Sequence, residues 1–294
     1  MRGMVVPEKS CKNGCKNGFL EVFFSAIIGA MELEVFASEI SKRFGNVKRA
    51  RGCFLYTEKG VRLTDLFQEG GRAILGWGGN SAFTVLKNVL SRGLTGSFPT
   101  VFDLQLKKAV SELLDSRRSV SVFFDREKAV SAAEKIAGKP LWWKPWIQDG
   151  IAWNSEAAVL IEPPLAWAQN LYILATLLPD DCKTSAENES IVQSCMIPAV
   201  LASAAARSIY NMIAALQARG EKDWYIFDPE IKKYWTRSGP YLYPKVPKKV
   251  YDRFVLHCLD CAVAVSPCFE IPSIVPFGAE RGVFGKLKAK PFEF

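Results

Sequence analysis

Ser121-Val-Phe-Phe-Asp-Arg-Glu-Lys-Ala-Val-Ser-Ala-Ala-Glu-Lys-Ile-Ala137 reads as a buried strand, a sharp turn and a helix of small residues. Val120, Val122, Phe123 and Phe124 form a short run of β-formers. Asp125 stands where a helix N-cap belongs, because its carboxylate can accept from the free N–H groups of the first turn. Ala129, Ala132, Ala133, Ile136 and Ala137 then recur at helical spacing and make a smooth face for packing on a sheet. A strand feeding such a helix is half of a βαβ unit, so a parallel sheet is expected.

Upstream, Leu33, Phe36, Ile40 and Phe44 place a helix over 31–46. Phe54–Thr57 and Val61–Leu66 read as a hairpin about Glu58-Lys59-Gly60, with Gly60 free to take positive φ. A glycine-containing segment, Gly70 to Asn80, and helices over Ser81–Arg92 and Leu104–Leu114 lead back to the opening stretch. Downstream, Ala158–Pro163 reads as a strand, Leu165–Leu178 as a helix through Trp167, Leu171 and Leu178, and Pro198–Gln217 as a helix ended by Gly220. A helix from Tyr251 to Asp260, strands at 262–266 and 271–275, and a helix over 279–287 close the chain.

Two parts of this pattern resemble the class III aminotransferases, pyridoxal-phosphate (PLP) enzymes of fold type I. Tyr56, Gly60, Arg62, Leu63 and Asp65 match that family's N-terminal hairpin, and the strand before Asp125 with Ala129 and its Ala-rich helix matches the phosphate-binding region. The resemblance implies an α/β fold: a three-layer PLP-transferase-like large domain, shortened and with a mostly parallel sheet, and a small α+β C-terminal domain. It divides the chain into an extension at 1–30, a helix and hairpin at 31–76 packing with the small domain, a large domain at 77–218 and the small domain at 219–294. It also implies a homodimer.

Where the family has Ser-Gly-(Ser/Thr)-Glu-Ala to hold the cofactor phosphate, this chain has Asp125-Arg126-Glu127-Lys128-Ala129. The glycine and hydroxyls are gone, and two carboxylates stand where a phosphate would sit. Lys183 is the lysine in the window where the family needs its Schiff-base lysine, beside Asp181 in a polar loop. The expectation is therefore a degenerate, non-catalytic member with no cofactor, which binds a small amino- or keto-acid-like ligand or serves as a partner subunit. Gly70 and Gly71 suit either a tight loop or close backbone approach to a ligand, and Arg72 beside them can fork onto a carboxylate. Arg237 and Arg281 are further carboxylate candidates, set against solvated arginine and a helix-start arginine. One alternative is a PLP-dependent aminotransferase with a remodelled site using Lys183; another is an interaction module presenting Trp142 to Trp153.

Composition narrows the remaining classes. Lys and Arg exceed Asp and Glu by 38 to 30, for a net charge of +8, but they are spread along the chain, so nucleic acid is not the expected partner. His257 is the single histidine, which removes zinc chemistry built on several imidazoles and leaves one ring for any triad. Cys258-Leu-Asp-Cys261 reads as small apolar residues on a helix, with no metal expected. The 8 cysteines at uneven spacing fit reduced thiols and a cytoplasmic protein. At the N-terminus, the apolar stretch from Val22 to Met31 is too short to span a bilayer. Residues before Met31 read as a misassigned extension or a peripheral helix.

Overall fold

A computed structural model describes residues 33–78, 80–147, 150–178 and 195–294. The N-terminal extension and Lys183 lie outside the described residues. Helix α1 (33–44) buries Phe36 and Ile40 and leaves Leu33 exposed. Strands β1 (Val47–Arg51), β2 (Phe54–Thr57) and β3 (Arg62–Asp65) form an antiparallel meander, with Gly60 at φ 76° in the β2–β3 turn. The turn residues made that hairpin legible. The extra strand β1 was not, because Lys48, Arg49 and Arg51 give it no apolar alternation.

The opening stretch forms β4 (Arg118–Phe123) and α4 (Arg126–Ala137), as its pattern requires. Asp125 caps α4, its carboxylate accepting from the Lys128 N–H at 3.0 Å, and Gly138 ends it in the left-handed conformation. Ala129, Ala132 and Ala133 are buried against Phe123, Leu160 and Leu174. The other sheet face, with Val122, Val159, Ile161 and Ile173, packs on α3 (Val101–Leu113) and α5 (Ala199–Ala218). Helix α2 (Asn80–Ser91) packs on α5 in turn. Among the described residues α5 is the helix long and apolar enough to cross a membrane, yet eleven of its residues are buried in this core.

The sheet differs from expectation in one strand. Residues 172–177 form β7 (Tyr172–Leu177), where helical spacing placed a helix. A fully buried strand is apolar on both faces, so its periodicity does not separate it from a buried helix. The order is β4-β7-β6-β5, with β6 (Ala158–Ile161) and β5 (Trp142–Trp143) parallel. β7 runs antiparallel to both β4 and β6. Three strands therefore share a direction, but the expected parallel neighbours of β4 are replaced by an antiparallel insert. The short link from β6 to β7 carries no crossover helix, and a parallel return would need one.

The C-terminal segments also diverge from a simple αββα unit. Strand β10 (Val263–Ala264) pairs parallel with β3, whereas β11 (Ser273–Ile274) joins a hairpin of β8 (Trp235–Ser238) and β9 (Tyr241–Pro244). These two strands, consecutive in the chain, belong to different sheets. Short helices α6 (Glu221–Trp224) and α7 (Asp228–Ile231) precede β8, α8 (Tyr251–Asp260) precedes β10, and α9 (Gly285–Ala289) closes the fold. One core unites Phe36, Ile40, Leu63 and Leu66 with Trp224, Trp235, Tyr251, Phe254 and Phe284. Phe254 stacks within about 6 Å of Tyr234, Trp235, Tyr251 and Phe292, so its loss would leave a large cavity.

Candidate functional site

Strands β4, β5 and β6 all end at one edge of the sheet, and β7 begins there. The register sets Phe123 opposite Tyr172, Ile161 opposite Ile173 and Trp143 opposite Ile161. The residues that follow, Phe124 and Asp125, Lys144, and Glu162, are thereby gathered at the carboxyl edge, where open α/β sheets bind ligands. A small, partly open pocket lies there, lined by Arg72, Phe124, Pro163, Leu165, Trp167, Asn170 and Leu201.

Arg72 reaches this pocket because of the loop before it. Gln68, Glu69, Gly70 and Gly71 take φ of 46°, 55°, 69° and 98°, four successive residues in the left-handed region. Asp65 holds the loop: its carboxylate accepts from the N–H groups of Phe67 and Gln68, both at 2.9 Å, and from Trp77 Nε1 at 2.6 Å. Gly70 and Gly71 take part in this left-handed run and are not among the residues that line the pocket. Arg72 Nη1 donates to Asn170 Oδ1 at 2.7 Å and Nε to the Glu69 carbonyl at 3.1 Å. The guanidinium is thus held in one orientation at the pocket wall, with the Glu69 carboxylate 3.4 Å from Nη2.

Glu162 was not among the residues singled out by sequence. Its carboxylate reaches solvent, yet the protein surrounds it closely enough that burial is the largest influence on it and raises its pKa. Arg72, Arg126 and Lys144 act in the opposite sense, which puts three cations within electrostatic reach of one acid. Tyr172 beside it is pushed up by burial and then by Glu162. The signal available in the sequence was positional: Glu162 directly follows a four-residue run that is buried throughout.

The remaining candidates are dispersed. Arg126 stacks over the Trp142 ring at 4.9 Å, and Trp142 meets Tyr172 edge-on at 5.9 Å, so Arg126 flanks the cleft while Glu127 is exposed. Arg237, read as a solvated arginine, is instead mostly buried and paired with Asp228 at 2.6 Å and with Glu221. Those carboxylates raise its pKa and occupy its fork, so it is not a free ligand group. Arg281 is exposed on a short turn and does not line the pocket. Trp143 is buried, and Trp142, Trp146 and Trp153 are half-buried, so the tryptophans serve mainly as packing groups. Cys258 lies in the core, and the His257 Nε2–H donates to the Lys290 carbonyl at 2.8 Å. No group of three or more metal-ligating side chains converges among the described residues.

No family model matches the chain. It is similar to an uncharacterised protein of Treponema pallidum, 27% identical over 293 residues, covering 83% of this chain and 93% of that protein. An uncharacterised protein of Borreliella burgdorferi is 26% identical over 246 residues, covering 82% and 88%. Among solved structures, ornithine delta-aminotransferase of Plasmodium falciparum superposes with a TM-score of 0.60 at 9% identity, over 88% of this chain and 96% of that one. An omega-transaminase of Sphaerobacter thermophilus gives 0.61 at 9%, over 82% and 90%. Acetylornithine aminotransferase of Elizabethkingia anophelis gives 0.58 at 10%, over 85% and 96%. The fold is aminotransferase-like.

Proposed function

We propose that this chain is a non-catalytic protein on an aminotransferase-like scaffold, binding a small amino- or keto-acid at the carboxyl edge of its β4-β7-β6-β5 sheet. In this reading the sheet, with α4 on one face and α3 and α5 on the other, is the shortened large domain, and the homodimer implied by the resemblance belongs to the same proposal. The observation that carries it is the held Arg72 guanidinium at the wall of the pocket, with Arg126 and Lys144 also within electrostatic reach of the neighbouring Glu162. Arg72 takes the carboxylate of the ligand, and Phe124, Leu165 and Leu201 shelter its carbon skeleton.

The residues at the β4–α4 turn do not fit PLP. The Asp125 carboxylate already accepts from the Lys128 N–H at the helix start, and Glu127 adds a second negative charge where a phosphate would need donors.

The test is a calorimetric titration with a panel of small 2-amino and 2-keto acids against wild type and Arg72→Ala. Saturable binding that Arg72→Ala weakens by about tenfold or more supports the reading, since a charge-assisted fork contributes roughly 1.5–3 kcal/mol. Binding that is unaffected by Arg72→Ala, or no binding across the panel, would sink it.

A further inference from the structure

The basic residues that look scattered along the chain are gathered by strand pairing on the β1-β2-β3 sheet. Arg49 pairs with Tyr56 and Tyr56 with Arg62, while Arg51 pairs with Phe54. Directly paired residues share a face and residues two apart share it too, so Arg49, Arg51, Phe54, Tyr56 and Arg62 lie together. Leu63, on the opposite face, belongs to the core, and Leu55 and Phe54 are partly buried against it. The three arginines are exposed and the two rings half-buried. Arg62 lies 4.4 Å over the Phe54 ring and Arg49 5.8 Å over Tyr56. The acid at this face is Glu280, whose carboxylate accepts from Arg62 at 2.5 Å.

From this arrangement we infer that the solvent face of β1-β2-β3 binds single-stranded nucleic acid, with phosphates on Arg49 and Arg51 and an unstacked base on Tyr56. Charges on an edge strand also deter strand-to-strand aggregation, but that role needs no aromatic rings between the cations. A flat sheet that alternates rings and guanidinium groups offers stacking surfaces and charge at once. An acidic peptide would use the charge and leave the rings idle. A duplex hides the base faces that the rings would take, so single strands are preferred. The site is separate from the carboxyl-edge cleft and does not depend on it.

The experiment is fluorescence anisotropy of the full chain with a labelled oligouridine of about a dozen nucleotides, which is within the span of single-strand sites. It is read across a salt series. Wild type should bind at low salt. The double change Arg49→Ala with Arg51→Ala should flatten the slope of log affinity on log salt by about 1.4, two phosphate contacts on a single strand. Tyr56→Ala should weaken binding about tenfold at an unchanged salt slope, and Tyr56→Phe should retain it. No binding at low salt overturns the proposal, as does binding that all three variants share with wild type, which would mark adsorption elsewhere on a basic protein. Competition by unlabelled polyglutamate as effective as by unlabelled oligouridine also overturns it, because the face would then be reading charge alone.

Discussion

Asp65 is nearly fully buried, and burial outweighs its three N–H donors to raise its carboxyl from 3.8 to about 6. The folded chain therefore holds this proton more tightly than the unfolded chain does. The cost of the buried charge is absent below 3.8 and fully present above about 6, so stability from this residue falls as pH rises through that window. The shift corresponds to about 3 kcal/mol. Urea midpoints measured across the window should fall more steeply for wild type than for Asp65→Asn, which keeps an acceptor and cannot ionise; parallel curves would refute this. Gly71 poses a simpler case. A Cβ there meets Ile274 at an ordinary 3.7 Å, so the obstacle is its φ of 98° and not space. Gly71→Ala should cost about 1–2 kcal/mol in chemical denaturation and turn Arg72 away from the pocket, weakening acid binding in the same titration.

At the scale of elements, β4 depends on a buried arginine that makes no salt bridge among the described residues. Arg118 donates to the carbonyls of Glu156 and Trp153, at 2.5 and 2.6 Å, and to Ser116 Oγ at 2.9 Å. It ties the start of β4 to the segment that leads into β6. Arg118→Ala would strand those carbonyls and open a cavity, lowering stability by about 3 kcal/mol in a denaturant melt; an unchanged midpoint would mean that the staple is not needed. The turn-rich and capped elements, α4 with Asp125 and Gly138 and the β2–β3 hairpin with Gly60, were legible because local chemistry decides them. β7 and the β8–β9 hairpin were not. Their residues are set by burial between partners far away in the chain, and Arg237 looked solvated because Glu221 and Asp228 meet it only after folding. The site divides along the same line. Arg72 was legible from its glycines, whereas Glu162 and Lys144 became neighbours only when β5 and β6 paired.

For the whole molecule, the aminotransferase-like likeness and the altered β4–α4 turn pull toward different expectations, and fold alone does not carry activity. In the proposed reading the scaffold keeps a ligand cleft at the carboxyl edge, and the N-terminus of α4 is closed by the Asp125 carboxylate. The most direct measurement is an absorbance scan of purified protein with added PLP, followed by borohydride reduction and mass mapping of every lysine. In this reading, a non-catalytic scaffold without the cofactor should give no visible aldimine band and no reduced adduct at a specific lysine. A band with a stoichiometric adduct, on Lys183 above all, would contradict it and establish Schiff-base chemistry in this chain.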